Sequence, residues 1–189
     1  MDDDFLVRQI LDGNRDAFRL LVLRYQRPLF RFLGLLGFAP DAAEDLAQQT
    51  FLRVFRSLQS FDARQAKFGT WLFTIAKRLA ANERQRAHHR YEQQQPAGDA
   101  LPESAASAPQ PADPALAADR AQRLRAAMAA LPDALRSTFF LSQVNELTLD
   151  EVAAIEGCAL GTVKSRIHRA REQLRVALAE VPEEDEEES

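Results

Sequence analysis

Cysteine is nearly absent from this 189-residue chain: Cys158 stands alone. An internal disulfide is therefore excluded, and such usage suits a reducing cytoplasm. Cys158 itself reads as a small turn residue. No apolar run approaches the ~20 residues that span a bilayer, and no secretory signal opens the chain, so membrane insertion is not expected. Glycine and proline are scarce outside one segment, and no alternating strand pattern is present. Helix periodicity dominates, and the expected fold is all-α. Metal-binding clusters are lacking as well. His88 and His89 are adjacent, so on a helix they face different ways, and no third ligand is near. No catalytic residue, metal or cofactor is expected, which argues against a nuclease.

Charge of one sign is missing from particular stretches. The formal net charge is −4, yet residues 180–189 (EVPEEDEEES) hold seven acids and no base, and without them the balance is +3. Residues 1–60 balance, with eight acids and eight arginines, whereas 61–90 carry seven bases against two acids. Local field rather than net charge governs phosphate binding. Positive charge is concentrated in two stretches, 61–90 and 161–176.

The second stretch belongs to LTLDEVAAIEGCALGTVKSRIHRAREQL, residues 147–174. Thr148 is placed to cap a helix over Leu149–Glu156, with Asp150 and Glu151 in the first turn, where the helix dipole favours acids. Gly157 ends it at low steric cost. A small residue, Ala153, sits midway, where two crossing helices need close approach. Gly161 and Thr162 open a second helix, in which Val163, Ile167, Ala170 and Leu174 form one apolar stripe. Thr162, Lys164, Ser165, Arg166, His168, Arg169 and Arg171 fall off that stripe. A basic, hydroxylic helix face after a short turn predicts a helix-turn-helix that reads duplex DNA in the major groove.

Earlier in the chain, amphipathic helices are predicted over Phe5–Leu11, from Asn14 or Asp16 through Leu33 with Pro28 as a potential kink, from Asp41 through Leu58, and from Thr70 to about Arg90. Residues 91–114 are rich in Pro, Ala, Gln and Ser and predict a flexible linker. Helices resume over Ala115–Ala130 and Pro132–Val144. The expected organisation is two small helical domains, 1–90 and 115–179, joined by the linker 91–114 and followed by a disordered acidic tail, 180–189.

Two features of the first domain carry chemistry. Asp41, Glu44 and Asp45 suit a helix N-terminus; Glu44, Asp45, Gln48 and Gln49 also make a polar face for a partner helix. The segment from Phe61 to Arg90 mixes aromatics (Phe61, Phe68, Trp71, Phe73) with cations (Arg64, Lys67, Lys77, Arg78, Arg84, Arg86). Aromatics that receive unstacked bases beside cations that follow a backbone suit single-stranded DNA. Trp71, Leu72 and Ile75 are spaced like core residues, whereas Phe61 and Phe68 flank a polar loop and are expected to be more open.

Three motifs in order, AEDLAQQTFLRVF, FGTWLFTIAKRLAANERQR and LTLDEVAAIEGCALGTVKSRIHRAREQLR, resemble bacterial RNA polymerase sigma factors of the extracytoplasmic-function group of the sigma-70 family. The resemblance covers nearly all of residues 5–178. It implies that Glu44, Asp45, Gln48, Gln49 and Phe55 dock on the clamp helices of core RNA polymerase. It further implies that the stretch from Phe61 to Phe68, Lys67 included, surrounds a flipped-out base of the minus-ten element, with Lys77, Arg78, Asn82, Arg84 and Arg86 along the strand and Trp71 also in the minus-ten set. The last helix would read the minus-thirty-five element. The linker, with Asp99, Glu103 and Asp113, would thread toward the polymerase active site, and an anti-sigma factor would regulate the protein. Gln49 stands where glutamate is common and Arg78 where asparagine is common. The alternative is a free-standing helix-turn-helix regulator that does not bind core polymerase; it leaves residues 61–90 without a role.

Overall fold

A computed structural model describes residues 2–94, 114–144 and 147–179, with side chains described at 2–89, 122–144 and 147–179. Among the described residues eight helices follow in order: α1 (Asp3–Leu11), α2 (Asp16–Leu35), α3 (Pro40–Ser57), α4 (Phe68–Gln94), α5 (Pro114–Ala130), α6 (Asp133–Ser142), α7 (Leu149–Glu156) and α8 (Leu160–Ala179). A 3-10 turn, Leu58–Ser60, follows α3. No strand occurs among the described residues. The all-α, two-domain reading stands. The acidic tail and most of the linker lie outside the described residues, while α4 continues four residues into the stretch assigned to the linker, through Gln94.

Local chemistry sets several helix ends. At α7 the Thr148 hydroxyl accepts the Glu151 N–H (3.3 Å), and the Thr148 N–H donates to the Glu151 carboxylate (2.6 Å). This reciprocal capping box satisfies two donors that a helix start leaves unpaired. Gly157 follows with φ of 67°, a left-handed position that costs glycine little. Pro40 opens α3, where its missing N–H is harmless. Pro28 does not divide its helix: α2 is continuous from Asp16 to Leu35.

In the first domain α2 packs between α1, α3 and α4. Leu21, Leu29, Phe32 and Leu33 of α2, Val54 of α3, and Phe68, Leu72 and Phe73 of α4 are fully buried. Full burial of one such side chain contributes about 1.5–3 kcal/mol, so this apolar group dominates the domain's stability. In the second domain Val163, Ile167, Ala170 and Leu174 are all buried, as their spacing predicts. Ala153 is buried where α7 crosses α8.

The domains also meet. Helix α7 packs on α4 and α6 on α2. Phe140 stacks on Phe32, with centroids 6.0 Å apart and planes at 27°. Leu141, Val152, Ile155, Val163 and Ile167 belong to the same apolar group as the core of α2 and α4. Spacing along the chain contains no signal for this junction.

Candidate nucleic-acid interface

The helix-turn-helix presents α8 with its stripe inward. Thr162, Lys164, Ser165, His168, Arg169 and Arg171 are exposed. Arg166 differs, because it lies at the edge of the inward stripe, three residues after Val163 and one before Ile167. It is half-buried, and its guanidinium reaches back to Glu156 (3.4 Å) and to the sulfur of Cys158 (3.7 Å). The sequence groups it with the exposed readers; in the folded chain it fastens α8 to the end of α7.

The loop between the 3-10 turn and α4 is organised by Asp62. Its carboxylate accepts the Arg64 backbone N–H at 3.0 Å, the Arg64 guanidinium at 3.0 and 3.1 Å, and the Gln65 amide at 3.2 Å. The bond from the backbone two residues on is the local turn that aspartate favours. The Arg64 hydrogen bonds, outweighing the small cost of burial, hold the carboxyl at about 2. Asp62 is absent from the sequence-predicted site, although its position before Ala-Arg in a polar loop is an available signal.

The aromatic prediction needs one correction. Phe68 is fully buried rather than open. It starts α4 facing α2, 5.5 Å from the ring of Tyr25. Trp71, placed in the core by its spacing, is only half-buried and lies 5.1 Å from the half-buried Phe61. The accessible aromatic pair beside the loop is therefore Phe61–Trp71, with Phe68 beneath both. Tyr25 is a further residue outside the predicted site: its hydroxyl donates to the buried Asp3 of α1, which Arg24 also engages. That cluster anchors α1 under the loop.

Along α4, Arg78, Asn82 and Arg86 extend beyond the core stripe, and Asn82, Gln85, Arg86 and His89 line a shallow groove. Arg86 pairs with Glu83 on the same helix at 3.8 Å, and other cations are engaged across elements. Lys67 pairs with Glu151 at 3.3 Å and Lys77 with Glu156 at 3.0 Å. Arg84 pairs with Asp133 at 2.9 Å, donates to the Leu36 carbonyl at the end of α2, and lies 5.7 Å over the Phe38 ring. Burial raises the Glu151 carboxyl, but its hydrogen bonds with Thr148 and the Lys67 charge outweigh that and leave it below the usual glutamate value.

On α3, Ala43, Leu46, Thr50 and Val54 face inward. Glu44, Asp45, Gln48 and Gln49 lie on the other side. Leu52 (54% exposed) and Phe55 (41%) extend that face with an apolar patch. Phe55 is held edge-on to Phe18 at 5.0 Å. Leu52 is not among the predicted residues; its place one turn after Gln48 and Gln49 is the signal for it. Polar groups beside two exposed apolar side chains fit a protein partner better than DNA. No group of three His, Cys, Asp or Glu placed for a metal occurs among the described residues, and none of the described helices is long and apolar enough to cross a membrane.

Two family patterns coincide with this division. Sigma-70 region 2 matches residues 21–90, and Sigma-70 region 4 matches residues 121–174. The chain is similar to the ECF RNA polymerase sigma factor SigW of Bacillus subtilis (strain 168), with 31% identity over 180 residues, 93% of this chain and 96% of the relative. It is likewise similar to the ECF RNA polymerase sigma-E factor of Escherichia coli (strain K12), with 32% identity over 183 residues, 92% and 93% of the two chains. Among solved structures, the sigma factor RpoE in complex with the anti-sigma factor NepR from Bartonella quintana aligns over 87% of this chain and 98% of that one, with a TM-score of 0.73 and 27% identity. The helix-turn-helix, the aromatic–basic helix before it and the full-length likeness place this chain in the extracytoplasmic-function sigma factors of the sigma-70 family.

Proposed function

We propose that this chain docks on core RNA polymerase through the outward face of α3 and directs it to promoters in the cytoplasm. Asp45 and Gln48 supply polar contacts, with Glu44, Gln49, Leu52 and Phe55 around them. The loop headed by Phe61, together with Trp71 and Lys67, receives an unstacked base of the minus-ten element. Arg78, Asn82 and Arg86 follow the strand, and Lys77 and Arg84 join them once released from their present partners. The exposed face of α8 enters the major groove at the minus-thirty-five element, where Lys and Arg contact phosphates and guanine edges.

No covalent chemistry is required of the protein. Unstacking a base costs a few kcal/mol, which aromatic stacking and phosphate contacts offset. Two weak DNA readers on one polymerase gain from high effective concentration. The observation that carries this reading is the order of the two elements: an aromatic–basic helix with a structured loop, then a capped helix-turn-helix. The anti-sigma-bound relative supports control by an anti-sigma factor.

Run-off transcription with purified core polymerase and a genomic fragment library tests the proposal. New discrete transcripts that depend on this protein support it. Tight binding to a palindromic duplex without any binding to core would favour a free-standing regulator instead.

A further inference from the structure

We infer that the acidic run at residues 183–188 docks along one basic line of α8 and competes there with duplex phosphate. The inference rests on the assignment of α8 to duplex DNA. Lys164, His168, Arg171 and Arg175 follow one another at steps of four, three and four. A helix brings such positions into a single line, here opposite the buried stripe of Val163, Ile167, Ala170 and Leu174. All four side chains are exposed. Arg175 pairs with Glu172 at 3.2 Å, whereas among the described residues no ion pair engages Lys164 or Arg171.

The line leads to the point where the acids leave the helix. Arg175 lies about one turn before Ala179, the last residue of α8. Residues 180–182, Glu-Val-Pro, then precede six consecutive acids at 183–188. Proline at 182 has no N–H for a further helical turn, which favours a change of direction there. Acids beside the C-terminal carbonyls of a helix are unfavourable, and a path back along α8 removes them from that end. The lengths agree as well. From 164 to 175 the helix rises about 16 Å, at ~1.5 Å per residue. Six extended residues span about 17 Å from first to last, at ~3.4 Å per step. Cations elsewhere are less available: Lys67, Lys77 and Arg84 on α4 already hold acids. A return to α8 also closes a short loop, at a lower cost in chain entropy than a distant contact.

A tail tethered at millimolar effective concentration lowers duplex affinity about tenfold when its own contact has a Kd of ~0.1 mM. Both the tail contact and the DNA contact are ionic and weaken together as salt rises. The tail therefore competes most at low salt, where the cations of α8 would hold any duplex, and least at high salt. Its effect is to flatten the response of duplex binding to ionic strength.

Exchange of the acids for their amides (E183Q, E184Q, D185N, E186Q, E187Q and E188Q) keeps the length of the tail and removes its charge. The first measurement is the affinity of the full wild-type and amide-tail chains for a fluorescein-labelled, mixed-sequence DNA duplex of about 20 base pairs, from about 50 to 300 mM salt. The amide-tail chain should bind about tenfold more tightly at the low end, with a steeper slope, and the two curves should converge at the high end. The second measurement reads the docking without DNA. Zero-length carbodiimide coupling joins a carboxylate to an amine that touches it, and the lysines of the chain are Lys67, Lys77 and Lys164. In the monomeric wild-type chain the tail should couple to Lys164. Equal affinity of the two chains at low salt, or coupling to Lys67, to Lys77 or to no lysine, would overturn the inference. Arg169→Ala in the amide-tail chain tests the assignment beneath it. Duplex affinity unchanged by that substitution would remove α8 from the duplex contact, and the competition with it, while coupling at Lys164 would still report a docked tail.

Discussion

Gly69 lies directly against Tyr25: a Cβ at position 69 would stand 3.0 Å from the Tyr25 hydroxyl oxygen and 3.3 Å from the Tyr25 Cε1. This close approach seats the first turn of α4 on α2 and fixes the floor of the loop that carries Phe61 and Asp62.

Gly69→Ala is expected to destabilise the chain by about 1–3 kcal/mol through overpacking. Tyr25→Phe removes the nearest atom, so the double variant should be more stable than the sum of the single changes predicts. Denaturant unfolding of the four chains checks this. Strict additivity would mean that the added methyl group is accommodated by movement elsewhere.

The capping box gives a second expectation. Thr148→Ala should cost roughly 1 kcal/mol, the usual loss on removing a cap. Because the Glu151 carboxyl lies below its ordinary value of 4.5 when folded, it binds protons more weakly in the native chain. Its contribution is present above the unfolded value and fades as pH falls through the folded one. The difference in unfolding free energy between wild type and Thr148→Ala should therefore shrink on acidification below about pH 4. A difference independent of pH would contradict the role of the ionised Glu151.

Asp62 titrates at about 2 because Arg64 hydrogen-bonds its carboxylate. Carboxyl-carbon NMR should find Asp62 still ionised at about pH 3 in the wild type, where an ordinary aspartate is mostly protonated. In Arg64→Ala its titration should move toward 3.8. With the depressed folded value, any stabilisation from this turn persists down through pH 4 and is lost as pH approaches 2.

Separate faces predict separable defects. Asp45→Ala and Phe55→Ala should weaken core binding, by about 1 kcal/mol or more where the residue lies at the centre of the contact, and leave promoter-duplex binding by the second domain unchanged. Arg169→Ala should do the reverse, with a loss of ~1–3 kcal/mol if it contacts a base edge. Arg166→Ala should lower both duplex affinity and thermal stability, since Arg166 also fastens α8 to Glu156. Native gel titrations and thermal melts distinguish the three. Loss of both activities in every variant would invalidate the division into faces.

Much of the architecture is legible in the chain alone. The limits of α7 follow from Thr148, Glu151 and Gly157, whose chemistry acts within one turn of backbone. The inward stripe of α8 follows from residues 163, 167, 170 and 174, because a helix brings those positions to one side whatever surrounds it. The outward polar face of α3 follows in the same way. Motif order also identifies the family, since it combines features too far apart to coincide by composition.

Tertiary structure decided what depends on a neighbour distant in sequence. Phe68 rather than Trp71 is the fully buried aromatic, because α2 presents Tyr25 to the first turn of α4. Arg166 turns inward because α7 ends with a carboxylate beside it. Lys67, Lys77 and Arg84 are paired because α6 and α7 dock on the first domain. Periodicity specifies which face of a helix is buried, but the identity of the side chain across the gap is set by packing between elements. At Glu156 that packing joins three helices on one carboxylate.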